Sequence, residues 1–116
     1  MNFDDAIRAH SDWKGKLASY IQKPDKTLKC DVVSRDNECA LGKWIYGEGA
    51  RLSHVPEFQK MKEAHIRFHI AAGDVIRRAD KGENASADLV LGGTSPYARA
   101  STDVVGCLMA LKRQAT

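Results

Sequence analysis

The sequence predicts an all-α fold: an antiparallel four-helix-bundle-like domain with one or two additional short helices. Three observations carry that expectation. Apolar residues recur at alternating steps of three and four along three long stretches, the alternation typical of strands is nearly absent, and Pro, Gly and Ser fall where helices would begin and end. Amphipathic helices of this kind, joined by short connections, bury their stripes most simply by packing into one bundle. A chain of 116 residues is expected to form one unit, residues 1–116, because so short a chain cannot sustain two separate cores.

Phe3, Ile7, His10, Trp13, Leu17 and Ile21 follow the helical period and place a first helix over about residues 3 to 22. Asn2 is positioned as its N-cap, Asp4 and Asp5 occupy its first turn, and Pro24 stands beyond its end. Residues 23 to 38, KPDKTLKCDVVSRDNE, are polar around one short apolar patch and read as a connection with a turn of structure. The segment CALGKWIYGEG that follows predicts about two helical turns, broken by Gly47 and Gly49. Gly42 inside it costs about 1 kcal/mol relative to Ala in a helix, which implies that a neighbouring backbone passes close there.

Phe58, Met61, His65, Phe68, Ala72, Val75 and Ala79 keep the period longest, with Pro56 suited to the first turn and Gly82 to the C-terminal stop. A short piece is expected around residues 85 to 91, then a break at GGTSP. Ser95 can cap, and Pro96 can begin, a last helix with Tyr97, Ala100, Val104, Val105, Leu108 and Leu111 on its apolar side.

Composition narrows the function. The 18 basic and 15 acidic residues leave a net charge of +3 without any dense basic block, a weak field for gathering phosphates, so no nucleic-acid partner is expected. No stretch approaches the roughly 18 consecutive apolar residues of a membrane span, and the N-terminus is unlike a secretory signal. A cytoplasmic location without membrane attachment is therefore expected. Three cysteines at wide spacing argue against a disulfide framework. Cys107 reads as a small buried hydrophobe, and Cys30 as a more accessible thiol.

His10 occupies an apolar position of the first helix, His65 one of the long third helix, and His69 lies one turn beyond His65 on the same face. A lone histidine on a core face is commonly a satisfied buried side chain, and an i,i+4 pair alone is compatible with core, surface or metal. Convergence changes the balance, because three buried imidazoles present several nitrogens that each cost about 1 to 3 kcal/mol if left unpaired. A shared cation engages one nitrogen of each ring. Cys39, at the start of the short segment, supplies a fourth ligand in this reading, its thiolate favoured by amides at a helix start. Three imidazoles and one thiolate suit tetrahedral Zn²⁺, the local charge of about +1 being softened by acceptors on the outer ring nitrogens.

Other chemistries fail on particular residues. A zinc protease of the HExxH type would need Glu after the first histidine, where Ile66 stands. A di-iron carboxylate bundle needs Glu-x-x-His repeats on facing helices, and a hemerythrin-like site needs more than these four histidines. His54, close to Pro56 in a connection, reads as solvated. Trp13, Leu41 and Gly42 read as packing residues that support the ligands.

The order His10-x-x-Trp13, then Cys39-x-Leu41-Gly42-x-Trp44, then His65-x-x-x-His69 closely resembles the chemoreceptor zinc-binding (CZB) domain family. The likeness covers residues 3 to about 80, and YARASTDVV looks like that family's last helix. The resemblance implies a cytoplasmic helical-bundle sensor, commonly a homodimer, that holds Zn²⁺ through three histidines and one cysteine and responds to zinc or to oxidants such as hypochlorous acid. It implies outputs such as chemotaxis or cyclic-di-GMP synthesis through an attached or separate signalling partner. This sequence carries no cyclase signature and no long signalling hairpin, so it is expected to be a stand-alone member or a fragment. Four protein ligands leave no open position on the metal, so no enzymatic activity is expected. The competing expectation is a structural zinc module that mediates homodimerisation without sensing, with Tyr20, Trp44, Tyr46 and Tyr97 as candidate aromatic contacts.

Overall fold

A computed structural model describes residues 2–23, 26–37, 39–81 and 95–115, with residues 114 and 115 described by backbone alone. The described residues are all-α: α1 spans Phe3–Gln22, α2 Cys30–Val33, α3 Ala40–Tyr46, a 3-10 turn Glu48–Leu52, α4 Pro56–Asp80 and α5 Pro96–Ala115. The expected short piece at 85 to 91, the stop at Gly82 and Pro24 lie outside the described residues, as does most of GGTSP.

Local chemistry places the helix ends. Asn2 Oδ1 accepts from the backbone N–H of Asp4 at 2.8 Å and of Asp5 at 3.3 Å, satisfying two donors that the first turn of α1 leaves over. Pro56 enters α4 in its first turn, where a missing N–H costs nothing. Ser95 Oγ accepts from the backbone N–H of Ala98 at 3.1 Å, capping α5 as expected. The polar stretch 23 to 38 holds one helical turn, α2, over its short apolar patch.

The stripes meet as their period requires. Leu17 of α1, Met61, Phe68, Ala72 and Ile76 of α4, and Val104 and Leu108 of α5 are wholly buried, and Tyr97, Ala100 and Leu111 nearly so. Each large apolar side chain buried in this way contributes about 1.5 to 3 kcal/mol. Phe3, Ile7, Trp13 and Ile21 pack against this core while remaining partly exposed. Val105 is only half-buried.

Contacts between the long helices fix their directions. Tyr20, near the end of α1, donates to Asp80 at the end of α4, and His10 lies against His65, so α1 and α4 run the same way. α5 runs opposite to both: Lys112 reaches back to Asp4 at 2.6 Å, and Arg67 pairs with Asp103. The reason lies in residues 26 to 55, which are a return leg and not a simple loop. Along α4 this leg meets His69 through the Val33 carbonyl, then His65 through Cys39, and reaches the start of α4 at Val55.

Two contacts hold α3 in that leg. Trp44 sits between Phe3 and Phe58 in edge-on contacts at 5.5 and 6.1 Å between ring centroids. A Cβ on Gly42 would lie 1.8 Å from the Asp36 carbonyl oxygen, so the close backbone approach expected from the sequence is present. Among the described residues, no helix is long and apolar enough to cross a membrane.

These two environments make opposite demands on alanine. Gly106 lies mid-helix in α5, and a Cβ there meets nothing within 4 Å, so Gly106→Ala is expected to stabilise the fold by about 0.5 to 1 kcal/mol. Gly42→Ala is expected to destabilise it by more than about 2 kcal/mol, because backbone must move to admit the methyl. Denaturant unfolding of both variants beside wild type measures the two signs.

Candidate metal centre

All four side chains singled out from the sequence converge. One ligand atom each from His10, Cys39, His65 and His69 lies within 4.8 Å of every other, with the three imidazoles buried and Cys39 half-buried. Three elements supply them. α1 presents His10, α4 presents His65 and His69 a turn apart, and Cys39 stands at the N-cap of α3.

The ring nitrogens are assigned by their partners. His10 Nδ1 lies 2.8 Å from the Ala6 carbonyl oxygen, and His69 Nδ1 lies 2.8 Å from that of Val33. A carbonyl only accepts, so each Nδ1 carries the proton and donates, which leaves each Nε2 a lone pair. Those lone pairs face inward. His69 Nε2 stands 3.0 Å from His65 Nε2, and the Cys39 sulfur lies 3.3 Å from His65 Nε2 and 3.5 Å from His69 Nε2. Two nitrogen lone pairs cannot face each other at such a distance without a proton or a cation between them. His10 Nε2 is buried with no hydrogen-bond partner among the described residues, as is His65 Nδ1.

This donor set fits zinc. Bonds of about 2.0 to 2.1 Å to nitrogen and about 2.3 Å to sulfur set tetrahedral ligand atoms about 3.3 to 3.6 Å apart, close to the nearer separations here. A cation would engage the orphaned His10 Nε2 and relieve the crowding between His65 and His69. The carbonyls of Ala6 and Val33 stand where outer acceptors would hold metal-binding imidazoles in one tautomer.

Phe68 gives the site an apolar flank. Phe68 lies edge-on to His10 at 5.0 Å and to His69 at 5.3 Å, and packs against Tyr97 at 5.3 Å on its other flank. Burial lowers all three imidazole pKa values. His65 is pushed down to about 2, by burial first and then by its two histidine neighbours. For His10 and His69 the carbonyl hydrogen bonds only partly oppose burial. The Cys39 thiol is pushed up, because burial outweighs the backbone N–H of Gly42 that reaches its sulfur at 3.4 Å. The amides at the helix start do favour the thiolate, as expected from the sequence, but burial outweighs them. A bound cation would favour the thiolate further.

His54 is exposed, as expected for a solvated residue. Leu41 and Gly42 are buried and Trp13 partly so. Cys30 and Cys107 are both half-buried and unbridged, so Cys107 is less enclosed than its stripe suggested. The Ala6 and Val33 carbonyls escaped sequence reasoning because any residue can offer one. Only their spacing of four from His10 and their place in the return leg, respectively, bring them to the rings.

Residues 10–76 match the chemoreceptor zinc-binding domain family, over more than half of the chain and across all four converging residues. The chain belongs to that family. No curated protein and no solved structure matches it. The CZB family binds zinc and is not a catalytic one, and the four-residue cluster of this CZB domain could hold the metal ion.

The site has a defined pH behaviour. The folded histidines titrate below 6.5 and the unfolded ones near it, so below about pH 6.5 the unfolded chain binds protons that the fold refuses. The stability from this source is complete above that pH and falls as pH drops toward the folded values. For His65 the slope is about 1.4 kcal/mol per pH unit, with His10 and His69 acting in the same direction. Urea unfolding of metal-free protein between pH 7.5 and 5 measures it. Zinc uptake near pH 7 is expected to release about one proton per chain, from Cys39, which calorimetry in buffers of different ionisation enthalpy reads.

Proposed function

We propose that His10, His65 and His69 through Nε2, with Cys39 through Sγ, hold one Zn²⁺, and that the domain is a cytoplasmic sensory module without catalytic activity. The observation that carries this reading is the inward convergence of three imidazole nitrogens and one sulfur, two of the rings being committed by carbonyls to offer Nε2. Four protein ligands leave the metal no open position for water or substrate. We read the architecture as four-helix-bundle-like, with α2, α3 and the 3-10 turn of the return leg standing for the second helix.

The module responds to zinc level or to oxidation of Cys39. Hypochlorous acid transfers oxygen to the thiolate: the sulfur gains a hydroxyl to become sulfenic acid, and chloride leaves with the electron pair of the O–Cl bond. A sulfenic acid binds zinc less well than a thiolate. Cys39 also caps α3, so loss of its bond to the metal frees the N-terminal end of a two-turn helix that is otherwise held through Trp44 and Gly42. The resulting shift of α3 against α1 and α4 is the signal relayed to an output such as chemotaxis or cyclic-di-GMP synthesis. Homodimerisation through the exposed faces is part of the same reading.

A structural zinc module that only mediates dimerisation is the second reading, favoured by apolar side chains left on the outside: Ile70 at 58%, Tyr46 at 49% and Met109 at 47% exposure.

Elemental analysis of gently purified protein is expected to find close to one zinc per chain. Hypochlorous acid is expected to release that zinc from wild type faster than from Cys39→Ser reloaded with metal; equal release would remove Cys39 from the mechanism. Chelation distinguishes the two readings. Collapse of helical content supports the structural role, whereas retained helicity with altered assembly supports sensing.

A further inference from the structure

We propose that Gly73, which offers no ligand atom, is a positioning residue of the metal centre: it admits α2 against α4 and so sets the Val33 carbonyl on His69 Nδ1. The proposal rests on the zinc reading above and adds to it the residue that aims one ligand.

Gly73 lies one turn beyond His69 in the interior of α4 and is buried. Glycine is less favourable than alanine at such a position, and nothing in an ordinary helical backbone requires it. Space does. A Cβ at residue 73 would stand 2.9 Å from Ser34 Cβ and Oγ and 3.1 Å from the Cys30 carbonyl oxygen, so the start of α2 and its C-cap both bear on that spot. Gly15 and Gly106, also within helices, have nothing within 4 Å of the corresponding point.

α2 depends on this seat. It is a four-residue helix with no side-chain cap, too short to hold its own position, and it is tied together locally by Ser34 Oγ–H donating to the Cys30 carbonyl. Between those two contacts with Gly73 lies Val33, whose carbonyl accepts from His69 Nδ1 at 2.8 Å. A methyl group at residue 73 drives α2 outward and lengthens that hydrogen bond. His69 then loses both the fixed tautomer and the ring orientation that direct Nε2 at the other ligand atoms. The displacement also runs on along the chain. Asp36 follows α2 and holds its carbonyl against Gly42, the residue whose N–H reaches the Cys39 sulfur. Two of the four donors are thus seated through glycines.

The test compares wild type, Gly73→Ala, Gly73→Ala/Ser34→Gly and Gly106→Ala for zinc affinity, by competition with a chromophoric chelator. Helical content and imidazole ¹⁵N spectra are recorded alongside. Gly73→Ala is expected to keep its helices, to lose about 10- to 100-fold in zinc affinity, and to lose the Nδ1–H signature of His69 while His10 retains its own. Removal of the Ser34 side chain is expected to restore much of the affinity, and Gly106→Ala to match wild type. Wild-type affinity in Gly73→Ala overturns the proposal. So does a metal-free wild-type spectrum with the His69 proton on Nε2, a measurement that decides the matter even if Gly73→Ala does not fold. Failure of wild type itself to bind zinc overturns the zinc reading and the proposal with it, and is told apart from failure of Gly73 alone by that arm.

Discussion

Three imidazoles and a thiol meet in a space lined by Phe68 and closed by packed helices, and their polar atoms have too few partners. Two ring nitrogens are satisfied by backbone carbonyls, whereas His10 Nε2 has no partner among the described residues and His65 Nε2 crowds His69 Nε2. An apolar core of the same shape would be cheaper to build, since each unpaired buried polar atom costs about 1 to 3 kcal/mol. A divalent cation would engage His10 Nε2 and part His65 Nε2 from His69 Nε2 in one step, leaving His65 Nδ1 as it is. The rest of the arrangement serves that meeting: α1 and α4 run in the same direction so that His10 faces His65, and the return leg passes between their levels to deliver Cys39.

The electrostatics follow from burial. Burial holds the histidines neutral, which is the form that binds metal, and holds the cysteine protonated, which is not. The thiol is consequently the donor whose state changes when a cation enters or leaves. It is also the least buried of the four and the one mounted on the shortest helix among them. In the sensory reading proposed above, these two properties are what place the response at Cys39.

Backbone groups carry as much of the design as side chains. The Ala6 and Val33 carbonyls select tautomers, the Gly42 amide contacts the sulfur, and the approaches that allow this are made at positions without a Cβ. Such contacts are intolerant of small changes, because a carbonyl and a methyl cannot share the same few ångströms. The site's geometry is therefore sensitive to the seating of α2 and α3, neither of which is long enough to stand as a helix by itself.

By itself, the sequence determined the long helices, their caps and the four converging residues. Period, capping and ligand type are local properties: Asn2, Pro56 and Ser95 act within one turn of where they stand, and His65 and His69 share a face in any helix. The close approach at Gly42 was legible for a similar reason, as a glycine in a helix without a turn to explain it. Only the tertiary structure decided that residues 26 to 55 run back along α4, that the turn Cys30–Val33 sets its last carbonyl on His69, and that burial outweighs the amides at Cys39. Those outcomes depend on which surfaces meet after the chain has travelled thirty residues or more, and no local pattern encodes a neighbour that distant. Gly73 was not singled out from the sequence, because the turn of chain that it accommodates comes from about forty residues earlier.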